Sequence, residues 1–248
     1  MNDNEKIPMN LLAFDTSTDL MSIAVQRTAT GADPALPPHI WQHTGPGGAQ
    51  TSAHLIPHIQ QLMAQAGLRF DQLDAIAFGC GPGSFTGLRT ACSVAQGLAF
   101  GAKVPVLPID TLLAVAEEAR FQHAPHQARY PVQALLDARM DEMYAACYLF
   151  DSCLWTQIKG HSLISPENLA PDADLAWAGN VFAVYGARLP ASVAPRLDAL
   201  PTASALLRLA PALLAAGGAL PADQALPLYV RDKVAKTTLE RAAEKAAS

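Results

Sequence analysis

The chain is 248 residues long, 50% hydrophobic and only 16% charged. That balance excludes wholesale disorder and leaves the surface short of charge against a usual share of about 25%. A net charge of −5 argues against a stand-alone nucleic-acid binder, which needs a basic footprint.

At about 100–200 residues per domain, this is one or two domains with a core that needs no disulfides or structural zinc. Cys80, Cys92, Cys147 and Cys153 form no CxxC pair and no metal spacing, so reduced structural thiols are expected. The polar start MNDNEKIPMN has no apolar signal core, and the charge-free stretch 34–68 is broken by Pro, Gly, His and Gln. The expectation is a soluble cytoplasmic protein without a membrane span.

In chain order, the apolar run Asn10–Phe14 ends at Asp15-Thr16-Ser17-Thr18-Asp19 and resumes over Met21–Gln26. This reads as two strands joined by a hydroxyl-rich turn. After the turn-rich link Gly31–Pro38, His39–His43 reads as a third strand. Leu55, Ile59, Leu62, Met63 and Ala66 recur at helical spacing, with Gly67 as the stop and Pro57 expected in the first turn. Asp74–Gly79 is a strand buried on both faces, followed by a glycine loop and a helix over 86–100. Val104–Ile109 is another buried strand, and Asp110 or Thr111 caps a helix to Arg120.

The pattern then begins again. Val132–Leu136 ends at Asp137, a polar turn follows, and Met143–Leu149 is a second strand. Without a gap, Asp15 falls on Asp137, Asp19 on Asp141, Met21 on Met143 and Ala24 on Ala146. This predicts two related halves at a period near 122, joined through the polar stretch Gln122–Arg129. Leu175–Ala178 reads as a strand and Ala203–Leu214 as a helix despite Pro211. Beyond Pro227–Val230 lies a tail with Arg231, Lys233, Lys236, Arg241 and Lys245, in which Thr237-x-x-Glu240 forms a capping box.

The densest signal is Gly79-Cys80-Gly81-Pro82-Gly83-Ser84-Phe85-Thr86-Gly87-Leu88-Arg89. It is neither a Walker A loop, a dinucleotide fingerprint nor a nucleophile elbow. It reads equally as a tight structural turn or as an anion or partner site at a helix N-terminus. Asp15 with Thr16, Ser17 and Thr18 is the second candidate, able to hold phosphate oxygens or simply to close an Asx-turn. Gly81, Gly83 and Ser84 complete the anion or nucleotide candidates. In the second half, Ala138, Arg139 and Met140 replace the hydroxyls, so the matching grip is degraded. His54 and His58 stand at i, i+4 but lack a third ligand, so no metal site is expected. No residue is singled out as catalytic.

Leu12-Ala13-Phe14-Asp15-Thr16-Ser17-Thr18, the loop 81–89, Ala95-Gln96-Gly97-Leu98-Ala99, Leu136-Asp137-Ala138-Arg139 and Pro227-Leu228-Tyr229-Val230-Arg231 together resemble the TsaB (YeaZ) family. These are the bacterial partner subunits of the tRNA threonylcarbamoyladenosine machinery. The resemblance runs from about residue 10 to 236 and is weak over 151–200.

It implies an α/β, actin-like ATPase fold (ASKHA, ribonuclease H-like) of two duplicated halves with mixed sheets. The halves are drawn at 1–111, with the glycine loop and docking helices, and 112–248, with the basic tail. It further implies a non-catalytic subunit. The paralogue TsaD transfers threonylcarbamoyl from its AMP ester to the adenosine beside the anticodon, and the ATPase TsaE joins the complex. TsaD's metal-binding histidine pair falls on Thr111 and Val115 here, neither of which replaces an imidazole.

The resemblance places docking on the helices near 52–66 and 86–100. Leu55, Ile59, Leu88, Ala91, Cys92, Ala95 and Ala99 are the expected contact face, and the same face would pair two copies of the chain when alone. The family gives the chain no cofactor of its own, leaves room for ATP or ADP at the complex interface, and brings it to tRNA only through the complex. The alternative is a stand-alone phosphotransferase or metallohydrolase of the same fold.

Overall fold

The computed structural model describes residues 9–28 and 38–231. The capping box at Thr237 and the basic residues beyond Arg231 lie outside the described residues, as does most of the 31–38 link.

The first apolar runs form strands β1 (Leu11–Asp15) and β2 (Leu20–Arg27), an antiparallel hairpin extended by β3 (His39–Pro46). β4 (Ala75–Gly81) and β5 (Val106–Asp110) add in parallel on the other side. The sheet order is β3-β2-β1-β4-β5. Helix α1 (Thr51–Ala66) and helix α2 (Phe85–Ala102) pack on one face of this sheet around Phe14, Leu55, Ile59 and Phe78. Gly67 ends α1 in the left-handed conformation at φ 61°, as its sequence position predicts. Pro57 is the seventh residue of α1 and not in its first turn. Ala53, whose carbonyl loses its i+4 donor there, is exposed like Pro57, so water replaces the missing bond.

The second half repeats the order. β6 (Arg129–Arg139) and β7 (Glu142–Asp151) make an antiparallel hairpin, β8 (Leu154–Ile164) flanks β7, and β9 (Ala176–Gly179) and β10 (Arg196–Asp198) run parallel beyond β6. The order β8-β7-β6-β9-β10 matches the first sheet strand for strand. The duplication is therefore physical, with one correction to its register. Asp15 pairs with Ser22, whereas Asp137 pairs with Met143. The second turn is one residue shorter, so Met143 stands in the place of Ser22 and not of Met21.

Two helices lie where the halves meet. α3 (Thr111–His123), capped by the Asp110 carboxylate on Leu112 N at 2.9 Å, packs Leu112, Val115 and Ala119 into the core of the second sheet. A short helix α4 (Phe182–Tyr185) closes the other face of that sheet. α5 (Ala203–Ala215) returns to the first sheet, placing Ala203, Leu206 and Ala210 against Leu11, Ala13 and Ile109. A cut at 111/112 separates the sheets and keeps α3 with the second, while α5, which follows the cut in the chain, packs on the first. α3 and α5 are joined by a buried network in which Glu117 accepts from Arg120, Arg208 and Trp155, while Glu118 accepts from Arg208, Thr202 and Gln122. With every carboxylate oxygen paired, the burial of these charges is compensated.

Candidate functional site

Asp15 ends β1 at 1% exposure. Its Oδ1 accepts from Ser17 N at 2.8 Å and Ser17 Oγ at 2.6 Å, while buried Oδ2 has no donor. Burial raises the Asp15 carboxyl to about 6, against the lowering effect of the Ser17 bonds. Thr16 Oγ1 donates to the Gly87 carbonyl at 2.8 Å, and Ser84 N donates to the Ser17 carbonyl at 2.7 Å. The hydroxyl protons of Thr16 and Ser17 are thus spent inside the chain and do not form an anion cradle.

The glycine loop is likewise filled by its own chain. A Cβ at Gly87 would lie 1.9 Å from the Thr16 carbonyl oxygen. Gly81, at φ 124°, leaves room for the Leu228 carbonyl, which would be 2.4 Å from a Cβ there. Leu228 belongs to a strap, residues 225–231, whose Leu228 N donates to the Cys80 carbonyl at 2.7 Å. Gln96 Nε2 donates to the Ala225 carbonyl at 2.8 Å, and Arg89 Nε to Tyr229 Oη at 3.0 Å. Of its open readings, the structural turn accounts for this loop's glycines.

The second hairpin turn faces the first. Arg139, Met140 and Asp141 all hold left-handed backbone, at φ 61°, 56° and 60°. Such residues cost roughly 1–2 kcal/mol each. The turn is held by Asp137 Oδ1, which accepts from Arg139 N and Tyr185 Oη at 2.8 Å each. Arg188 pins Asp141 at 2.6 Å, and Arg231 donates to the Ala138 carbonyl at 3.1 Å and pairs with Glu142 at 2.7 Å. Arg139 reaches across to Asp19 at 2.6 Å.

Between the turns lies a cleft of about 260 Å³, bounded by Ser84, Phe85, Arg139, Asn180, Tyr229 and Arg231 among others. Ser17, Thr18, Gly83 and Ser84 of the expected anion residues line it; Asp15, Thr16 and Gly81 do not. Asp19, Phe85, Asn180 and Tyr229 were not foreseen as site residues. The two acids Asp19 and Asp137 are matched by Arg139 and Arg231, so these four carry no surplus positive charge for a polyphosphate.

The expected docking face is corrected outright. Leu55, Ile59, Leu88, Ala91, Cys92, Ala95 and Ala99 are at most 5% exposed, inside the chain's own core. What α1 and α2 present outward is Ile56 at 41% exposure, Phe100 at 81%, and two glycines, Gly97 and Gly101, with open space where a Cβ would stand. Thr111 and Val115 are buried; Thr111 Oγ1 accepts from Gly81 N at 3.1 Å. His58 stacks on His43 at 3.8 Å between ring centres. Among the described residues, no cluster of three or more His, Cys, Asp or Glu is placed to hold a metal ion, and no helix is long and apolar enough to cross a membrane.

Two mixed sheets of identical order, hairpin turns facing across a cleft, and flanking helices define an actin-like α/β protein of duplicated halves. A family model described as TsaD, tRNA N6-adenosine threonylcarbamoyltransferase, matches residues 46–238. The Haemophilus influenzae tRNA threonylcarbamoyladenosine biosynthesis protein TsaB is 33% identical over 238 residues, 91% of this chain and 95% of its own. The Escherichia coli K12 protein of the same name is 30% identical, covering 92% and 96%. The solved structure of YeaZ from Pseudomonas aeruginosa aligns with a TM-score of 0.76 at 36% identity, over 89% of this chain and 99% of that one. The chain belongs to the TsaB (YeaZ) family of tRNA threonylcarbamoyladenosine biosynthesis proteins.

Proposed function

We propose that the chain serves tRNA threonylcarbamoyladenosine formation as a non-catalytic partner subunit, binding and activating TsaD, with TsaE joining the assembly. The observation that carries this reading is what α1 and α2 present outward: Phe100 with the open glycines 97 and 101 within a turn of it on α2, and Ile56 on α1. An exposed aromatic side chain next to surface glycines admits close packing of a partner helix, and large exposed apolar groups are what an interface covers. Supporting a role without group-transfer chemistry, the resemblance sets Thr111 and Val115 against the paralogue's histidines, and the hydroxyls of the first turn are spent on the chain's own backbone and Asp15.

ATP or ADP belongs to this reading only at the complex interface, with the cleft as its nearest opening. Contact with tRNA is delegated to the complex, and the outward helix face is also where two copies would pair in the absence of TsaD. Gel filtration of the chain with TsaD tests the proposal directly. Co-elution that is lost in Phe100→Arg, with an unchanged melting temperature, supports it; co-elution that survives Phe100→Arg and Gly97→Arg together counts against it.

A further inference from the structure

At the junction of the halves, outside the lining of the cleft, one carboxylate of the first half is held by two side chains of the second. Asp110 ends β5, and its Oδ1 caps α3. Its Oδ2 accepts from Tyr148 Oη on β7 in a short bond and pairs with His161 Nε2 on β8 at 2.9 Å. His161 and Tyr148 are themselves 3.5 Å apart.

The strand carrying His161 is distorted where the contact is made. Ala145 pairs with Ser162 but Cys147 with Lys159, so β8 holds one extra residue at Gly160–His161. A bulge of this kind turns a side chain out of the regular pleat and weakens the local ladder. β8 is also an edge strand, bonded only to β7. The His161 side chain therefore anchors a stretch with fewer ladder bonds than its neighbours.

We propose that Asp110, Tyr148 and His161 form a proton-operated clasp between the two halves, closed when His161 is charged and loosened when it is neutral. Both Asp110 and His161 side chains are 20% exposed, so solvent protons reach them. The groups facing the clasp are few. Asp110 comes from the start of α3 and Tyr148 from β7, where burial and Asp110 push the phenol up so that it stays a donor. The nearby Cys80 thiol is pushed up to about 12 by burial and Asp110. Lys159, on β8 itself, lies against Cys147. The hydrogen bond to Asp110 raises the His161 ring above its usual 6.5, so the clasp stays charged to higher pH than a free imidazole would.

The test is hydrogen exchange of β8 amides in the full chain from pH 5.5 to 8.5, corrected for intrinsic exchange, with the His161 ring titration followed by NMR. Each pH unit by which the pair raises the His161 midpoint corresponds to about a tenfold change in clasp opening. Protection of residues 157–164 is expected to fall through that midpoint. His161→Gln keeps a donor without a proton to lose, so its protection should be flat over the same range. Tyr148→Phe should leave the fold intact and move the midpoint. Asp15, raised to about 6, also titrates in this range, but it remains in His161→Gln and serves as its background. Protection that ignores the His161 titration, or a pH dependence that persists unchanged in His161→Gln, would overturn the clasp.

Discussion

Arg139 Nη2 donates to Asp19 Oδ2 at 2.6 Å, joining two hairpin turns that are 120 residues apart in the chain. Both side chains are largely exposed, at 67% and 81%. Exposed pairs contribute about 0–1 kcal/mol and are screened by salt. A double-mutant cycle of Asp19→Ala and Arg139→Ala should give a coupling below about 1 kcal/mol, disappearing in concentrated salt. Coupling that persists there would mean the turns are held by something other than this pair.

The two classes of glycine on α2 should respond oppositely to a methyl group. In Gly87→Ala the new Cβ meets the Thr16 carbonyl at 1.9 Å, and neither backbone can yield. Its loss of stability should reach or exceed the roughly 1–3 kcal/mol of ordinary overpacking. Gly97→Ala meets nothing within 4 Å and should gain up to about 1 kcal/mol from helix propensity. Urea denaturation of the two variants decides it.

The Asp15 carboxyl is raised in the folded chain, from 3.8 to about 6. A group raised in this way favours the fold while protonated. Its contribution is therefore complete below the unfolded value and is lost as pH rises through about 6. The rise corresponds to roughly 3 kcal/mol. In Asp15→Asn the acceptor for Ser17 remains and the titration is removed, so the variant's stability should vary much less between pH 4 and 7. Parallel stability–pH curves for the two proteins would contradict the buried carboxyl.

Docking and folding should separate on neighbouring turns of one helix. Ala95 is fully buried, so Ala95→Arg is expected to unfold or strongly destabilise the chain, by the route of a charge forced into a core. Phe100→Arg, at an 81% exposed site, should leave melting within a few tenths of a kcal/mol and act on partner binding alone. A melting temperature for Ala95→Arg equal to the parent's would show that this face is not core.

The sequence made the elements legible because they obey simple periods. The buried runs 11–15 and 75–81, the Gly67 stop and the Asp–turn–strand repeat all rest on local chemistry. The docking face was misread for an equally physical reason. Spacing of i, i+4 shows that Leu88, Ala91, Cys92, Ala95 and Ala99 share a side of α2, not whether that side meets its own sheet or a partner. Small residues suit both. Asp19, Tyr229 and Asn180 were missed because their site is assembled from segments distant in the chain, and the return of α5 to the first sheet leaves no mark in its Ala/Leu composition. Pro57 was misplaced because exposure, which lets water replace its lost bond, is not visible in a hydrophobic pattern.

Because α5 leaves the second half to cover the sheet of the first, the polypeptide is braided. Severed between residues 111 and 112, the first fragment would keep its strands yet lose the helix that shields one side of them, and the second would carry α5 with no sheet beneath its apolar face. Neither piece should persist alone, whereas mixing both should restore a complete molecule. A two-part split reporter could be built on that mutual dependence.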